Sequence, residues 1–444
     1  MTCQPLKLVM SPRGLLADIA ALSVVQGLNY ALPLITIPYL VRVLHPGQFG
    51  IVCFAQGIVL FFAFLTDFGF DYSASRAIAS SRRDSAFISR IYWSTLFSKL
   101  ILLCVSGAAL WLVVASTPRL QQESRLFVAT FLYVVGAALF PMWLFQGLEK
   151  LKLAAGFLAI GRILVVPAVL LFVHHPADYI VASGIQASVE VTASVLAIPI
   201  IFRQLNVRWY CPSPADIKTA LVESWPLFLS GAALYASTST TTVILGFLAG
   251  QAEVGYYSAA DKLVRACMAL STPVALALYP RLAACKVESD ASTVRAIRKS
   301  LCALGGTMLL ASILIALLGP RICAIVFGSS FSPSVTILEL LSPLPFLSGL
   351  LGVFGTQTMV VFGMERQLAK IMLLSSLAAA PLNAILMMSY GATGAAIGAD
   401  LQMLLALCAI VAVLRARDLR VWRNLTPKRA EPAVLTLQNL PYSH

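Results

Sequence analysis

Four basic residues fall inside long apolar runs, where a charge needs a reason: Lys99, Arg162, Lys262 and Arg265. Asp261, Lys262 and Arg265 lie close enough in sequence to act together. On a helix, Asp261 and Arg265 are four apart and can pair, while Lys262 projects about 100° away, so the cluster keeps an excess cation. An excess cation at depth suits an anionic group, and guanidinium geometry, which matches carboxylate and phosphate oxygens, makes Arg42, at the end of an earlier run, a further candidate. Arg162 is a candidate cleft cation by its depth alone. Hydrogen-bonding capacity inside the runs comes from Gln26, Asn29 and Gln56, and from the run Ser237 to Thr242, which includes Thr238 and Thr241. Glu190, Asp400 and Asp261 are candidates for ion coupling, because a carboxylate at depth can be neutralised, pair, or carry a proton.

Each of these has a plainer reading. Asp261 and Arg265 also read as a neutralised structural pair, Arg162 as a donor to carbonyls at a helix interface, and Arg42 as an interfacial anchor. Lys99 reads as a side chain snorkelling from the cytoplasmic end of its run. Asp67 and Asp71, beside Arg76, read as gate or loop ion pairs. Glu190 and Asp400 also fit a shared helix-packing role, with Arg162 joining Glu190.

The elements that carry these residues are set by composition. Of 444 residues, 59% are hydrophobic and 11% charged, and the mean hydropathy is +0.86. No packing of soluble domains hides that much apolar surface, so the chain is an all-α polytopic membrane protein. Runs of the length needed to cross a hydrocarbon core lie near residues 15–41, 48–70, 91–115, 126–147, 153–173, 179–202, 220–249, 254–280, 300–319, 335–362, 368–389 and 393–414. They make twelve transmembrane helices. Apart from the four buried cations and Arg42, Arg119, Arg125 and Arg321, every Lys and Arg falls on one set of alternating segments, which places both termini in the cytoplasm. The net charge of +13 is therefore mostly a topology signal and implies no nucleic-acid partner.

Internal repetition organises the runs. Phe49-Gly50 opens the second and Val254-Gly255 the eighth, with Arg76 and Arg281 following at the same interval. Gly147-Leu148-Glu149-Lys150 ends the fourth and Gly363-Met364-Glu365-Arg366 the tenth. Gly184 precedes Glu190 in the sixth as Gly394 precedes Asp400 in the twelfth. Three collinear matches predict two six-helix bundles, 1–203 and 220–414, joined by a cytoplasmic linker at 204–219 and followed by a basic tail at 415–444. Six is an even number, so both halves share one orientation and the pseudo-two-fold axis lies along the membrane normal. The natural site is the interface between the halves.

The run Pro33 to Leu44 with Pro38 and Arg42, then Gln48-Phe49-Gly50, Asp67-Phe68-Gly69-Phe70 and Ser75-Arg76, resembles the start of Wzx-type O-antigen and polysaccharide flippases, in the multidrug/oligosaccharidyl-lipid/polysaccharide exporter superfamily. Gln146 to Lys150, Tyr257 to Leu263 and Tyr390 to Ala396 look like its later landmarks, so the resemblance covers about residues 20–410. Two positions depart from it: Leu44-His45-Pro46-Gly47, where Leu-Gly directly follows the Arg in the family, and Asp400, where Glu is common. The resemblance implies a flippase that turns undecaprenyl pyrophosphate-linked oligosaccharide from the cytoplasmic to the periplasmic leaflet of the bacterial inner membrane by alternating access, coupled to an ion gradient. It also implies contact with membrane lipids and with glycan polymerase and chain-length machinery, and places spans one, two, seven and eight at the cleft.

Other chemistry is sparse. No G-x-x-x-x-G-K-[ST] loop is present. The nine cysteines lack C-x-x-C spacing, and His174, His175 and Asp178 share one short loop, so no metal and no cofactor is expected. Short external loops argue against a membrane-embedded glycan polymerase or ligase. A small-molecule exporter of the same superfamily remains the alternative, and the loop 71–90 lacks the pattern of a major-facilitator carrier.

Overall fold

The computed structural model describes residues 12–205, 207–269, 271 and 290–417; within these, the side chains of 12–31, 33, 34, 230, 233–240, 290–292 and 294 lie outside the description. Helices follow one another as α1 (Pro12–Asp67), α2 (Phe70–Ser80), α3 (Ser85–Ser116), α4 (Pro118–Gln121), α5 (Ser124–Leu139), α6 (Met142–Gly147), α7 (Leu151–Phe172), α8 (Tyr179–Pro199), α9 (Pro214–Leu248) and α10 (Gln251–Ala269). Then come α11 (Asp290–Ser300), α12 (Gly306–Val326), α13 (Ser334–Leu340), α14 (Leu344–Leu351) and α15 (Glu365–Ala416). No strand occurs among the described residues. In lipid this is the economical solution, since a helix satisfies its own backbone hydrogen bonds.

Eight helical stretches among the described residues are long and apolar enough to cross a membrane. Two of them are interrupted. The backbone of α1 leaves helical geometry at His45 (φ 57°, ψ 167°), where Pro46 disfavours an α conformation in the residue before it. In α15 the break is Gly391 (φ 56°, ψ −129°), and the chain doubles back there: a Cβ on Gly398 would meet the Asn383 side chain, and one on Gly394 would lie 3.0 Å from the Met387 nitrogen. Dividing both helices, and including α9 and α10, matches the helices to the twelve apolar runs. The chain is an all-α, multi-pass membrane protein.

Turns at the ends of two runs share one geometry. Glu149 (φ 57°) and Gly363 (φ 70°) are both left-handed. Each is followed by a residue whose N–H reaches back five positions, Lys150 to the Phe145 carbonyl and Met364 to the Met359 carbonyl, both at 2.7 Å, the helix-ending arrangement of a Schellman motif. The equivalent positions are thus Glu149 and Gly363. The sequence match aligned Gly147 with Gly363, two residues out of register with the backbone.

Packing inside the bundle relies on small residues and hydroxyls. A Cβ on Gly136 of α5 would lie 2.7 Å from the Glu190 Cβ of α8, and the hydroxyls of Thr130 and Ser183 meet at 2.7 Å between the same helices. Thr66 and Ser106 join α1 to α3 at 2.9 Å. Without a water-driven hydrophobic term between helices, close backbone approach and such bonds hold the bundle together. Large apolar side chains such as Trp111, Leu112, Leu171 and Phe172 point outward, where lipid replaces water.

Candidate functional site

Lys262 is the basic group at the junction between α1 and α10. Its Nζ donates to Oε1 of Gln56 at 3.3 Å, and the Gln56 amide donates to Oε1 of Gln186 on α8 at 3.4 Å. Beneath the ammonium lies the Phe49 ring, 5.3 Å to its centroid. Phe49 and Gln56 are seven apart, two helical turns, so one face of α1 supplies both the aromatic platform and the amide. Among the described residues, the contacts of Lys262 are with an amide and an aromatic ring, both uncharged. Gln186 was not among the residues expected; the signal was present as an amide four residues before Glu190 in an apolar run.

One turn along α10, Arg265 Nε donates to Asp261 Oδ2 at 2.7 Å, the pairing that the four-residue spacing predicts. The other Asp261 oxygen is buried without a hydrogen-bond partner. Asp261, Arg265, Thr241 and Tyr257 line a small cavity of 110 Å³ with Ser375 and Gln402 of α15. Tyr257 lies within electrostatic reach of both Asp261 and Asp400, and Asp400 Oδ1 is likewise buried without a hydrogen-bond partner. Thr241 therefore joins the predicted cluster. Gln26, Asn29 and Thr238 lie outside the described side chains.

The structure separates other candidates from this cluster. Arg42 donates from Nε to the Val326 carbonyl at 3.1 Å and from Nη2 to the Ile325 carbonyl. It covers the C-terminal carbonyls of α12, where a cation complements the helix dipole. Arg162 on α7 and Glu190 on α8 act on each other electrostatically. No ion pair within 4 Å joins them among the described residues. Glu190 belongs to a cavity of 340 Å³ shared with Asp67, Asp71, Lys99 and Tyr133.

Lys99 corrects an expectation. It does not snorkel: its side chain is 2% exposed, and Nζ sits 2.7 Å from Asp67 and 3.7 Å from Asp71. Asp67 and Asp71 therefore pair with Lys99 of α3, not with Arg76, which is exposed. The helix break at Phe68 (φ 50°) and Gly69 (φ 80°) separates the two aspartates and lets both point at one ammonium.

Helices α1 to α3 meet α9 and α10 at two ends. At the end carrying the basic loops, Arg90 of α3 donates to Asp216 of α9 at 2.9 Å. Asp216 also accepts from the Tyr210 hydroxyl at 2.8 Å and the Ser213 nitrogen at 2.9 Å. Arg90, Ser213 and Tyr210 together hold the Asp216 carboxyl well below the usual carboxylate range. Nearby, Phe68 stacks on Phe228 at 4.6 Å, and the Ser73 and Ser224 hydroxyls meet at 2.6 Å. At the opposite end, α1 and α10 touch backbone to backbone. A Cβ on Gly50 would lie 2.7 Å from the Gly255 nitrogen, and one on Gly255 would lie 2.9 Å from the Pro46 carbonyl carbon. These are the two glycines of the repeated Phe-Gly and Val-Gly signature, now in contact. The Arg90–Asp216 latch was not expected, since Arg90 read only as a topology charge.

Residues 15–286 match the family described as polysaccharide biosynthesis protein. A protein of Escherichia coli (strain K12) named as an O-antigen transporter is 31% identical over 89% of this chain and 95% of its own length. One of Shigella dysenteriae with the same name is 30% identical over 85% and 94%. Among solved structures, the fold is similar to that of the lipid II flippase MurJ in an inward closed conformation (TM-score 0.70, 13% identity, 90% of this chain and 89% of that chain). It is also similar to an inward-facing multidrug resistance MATE family transporter of the MOP superfamily (TM-score 0.69, 15% identity, 88% and 95%). With a family match over more than half its length and relatives that span nearly all of it, the chain belongs to the polysaccharide biosynthesis protein family.

Proposed function

We propose that this protein is a flippase for lipid-linked oligosaccharide, carrying undecaprenyl pyrophosphate-linked repeat units from the cytoplasmic to the periplasmic leaflet of a bacterial inner membrane. The observation that carries this reading is Lys262, a cation between α1 and α10 whose contacts among the described residues are the Gln56 amide and the Phe49 ring. An ammonium held on an aromatic face and amides keeps its charge for an anionic guest, such as the diphosphate of the carrier lipid. Arg265 contributes when the diphosphate competes with Asp261, and Thr241, Gln56 and Gln186 supply hydrogen bonds. Arg42 and Arg162 enter the path as the halves move.

Two six-helix halves, related along the membrane normal, with both termini cytoplasmic, are part of the same proposal. The meeting of Gly50 with Gly255, the paired turns at Glu149 and Gly363, and the breaks at His45 and Gly391 support it. Rocking of the halves would open the Gly50–Gly255 end or the Arg90–Asp216 end in turn. Glu190, Asp261 and Asp400 are the proposed ion-coupling carboxylates, and a glycan polymerase with its chain-length partner is the proposed recipient of the cargo. The likeness to named O-antigen transporters supports this reading over a drug exporter, and the cationic centre agrees.

The test is replacement of Lys262 in the host. Lys262→Ala should abolish surface glycan at normal protein level, while Lys262→Arg retains at least part of it. The paired change Asp261→Asn with Arg265→Gln removes both charges without leaving one buried alone, and should also lower display. Normal surface glycan in a normally expressed Lys262→Ala strain would overturn the reading.

A further inference from the structure

A groove of 490 Å³ lies at the end of the molecule opposite the basic loops, and no residue expected to bind substrate lies in it. One wall comes from the first half: Gly50 and Phe54 of α1, with Arg119, Gln122 and Glu123 around α4. The other is the α9–α10 hairpin, including Phe247, Gly250 and Gln251. The volume falls within the range of small-molecule sites, about 300–1,000 Å³.

The chemistry of the lining differs from that at Lys262. One cation, Arg119, stands against one carboxylate, Glu123, which already accepts from the Tyr179 hydroxyl at 2.7 Å. Gln122 and Gln251 are exposed amides, each able to donate and accept. The last-turn carbonyls of α9 add acceptors that a helix leaves without intrahelical donors. Phe54 and Phe247 meet edge to face at 5.2 Å. A lining with balanced charge, mixed donors and acceptors and aromatic surface matches a neutral sugar, which presents hydroxyls at its rim and C–H groups on its faces. A diphosphate would find no excess positive charge there.

Position connects the groove to the Lys262 cluster. Gly50 and Phe54, four apart, form one face of α1 on the groove side, whereas Phe49 and Gln56 face Lys262. With a rise of about 1.5 Å per residue, the two faces serve sites within about 10 Å along one helix. We propose that this groove is a sugar-binding subsite for the distal, uncharged residues of the oligosaccharide, distinct from the diphosphate site at Lys262. It rests on the flippase reading. Because its two walls belong to different halves, sugar bound there senses their relative position, and leaves when the halves part.

The test uses the full-length protein in nanodiscs with two probes: the phosphate-free repeat-unit oligosaccharide released by mild acid from the host's own lipid-linked intermediates, and farnesyl pyrophosphate. A Cβ on Gly250 meets nothing within 4 Å, so Gly250→Trp fills the groove without a backbone clash, and Gln122→Ala with Gln251→Ala removes the amides. Both variants should weaken oligosaccharide binding about tenfold or more and leave farnesyl pyrophosphate binding unchanged; Lys262→Ala should do the reverse. Oligosaccharide binding at wild-type affinity in both groove variants, or none in the wild type, overturns the subsite. A wild-type protein that ignores farnesyl pyrophosphate overturns the flippase reading instead, whichever way the oligosaccharide behaves.

Discussion

A buried ammonium is stable only beside its counter-charges, and Lys99 illustrates how much hangs on one side chain. At 2% exposure it holds Asp67 and Asp71 together across the Phe68-Gly69 break. Lys99→Met keeps the volume but leaves two carboxylates facing one cavity. Removing one member of a buried pair costs about 3–5 kcal/mol, so thermal unfolding in detergent should show a marked loss of stability. Adding Asp67→Asn should recover part of it; a Lys99→Met protein as stable as the wild type would mean the pair is solvated after all. Lys262 presents the opposite case. Half-buried where Lys99 is fully buried, it lies on an aromatic ring and an amide, which stabilise the cation without neutralising it.

Helices bring these residues together through their breaks and their glycines. At Gly50 and Gly255 the absence of side chains lets α1 and α10 meet backbone to backbone, and any Cβ there collides with main chain that cannot rotate away. Gly50→Ala and Gly255→Ala should each force this end apart. Spin labels on the outer ends of α1 and α10 should then report longer distances than in the wild type, and an unchanged distance distribution would show that the contact is not a gate. The break at Gly391 is secured by a neighbour: Glu253 of α10 accepts from the Ala392 nitrogen at 2.8 Å. That bond caps the final helical segment, where an acidic group also complements the dipole, and ties the hairpin of α15 to the helix that carries Lys262.

At the scale of the whole molecule, the Arg90–Asp216 contact ties α3 to α9 at the end with the basic loops. Asp216 lies in the 204–219 linker region, before the seventh apolar run. Its folded pKa is below the ordinary 3.8, so the unfolded chain takes up a proton first as the pH falls. The contribution to stability is therefore complete above about pH 4 and fades as the pH drops toward the lower folded value. Asp216→Asn should unfold at a lower temperature than the wild type at pH 7, and the gap should narrow below pH 4. A gap independent of pH would assign the loss to the hydrogen bonds of Ser213 and Tyr210 and not to the charge.

The membrane fold, the rough placement of the apolar helices and the Asp261–Arg265 pair are legible in the amino-acid sequence, although helix ends shift by up to seven residues, as at Val326. Those depend on local properties: apolar run length, the placement of Gly and Pro, and the 3.6-residue period. His45-Pro46-Gly47 and Tyr390-Gly391 already marked where two long helices break. Which deep polar groups meet depends on how the helices pack. Lys262 reaches Gln56 across 206 positions and Arg42 reaches Val326 across 284, while Lys99 turned inward to Asp67 where an end-of-helix position suggested the membrane surface. A charge buried in lipid must find a partner within a few ångströms, but composition and periodicity say only that it needs one. Which helix supplies that partner is set by packing, through small residues such as Gly50, Gly136 and Gly255 that allow particular helices to approach.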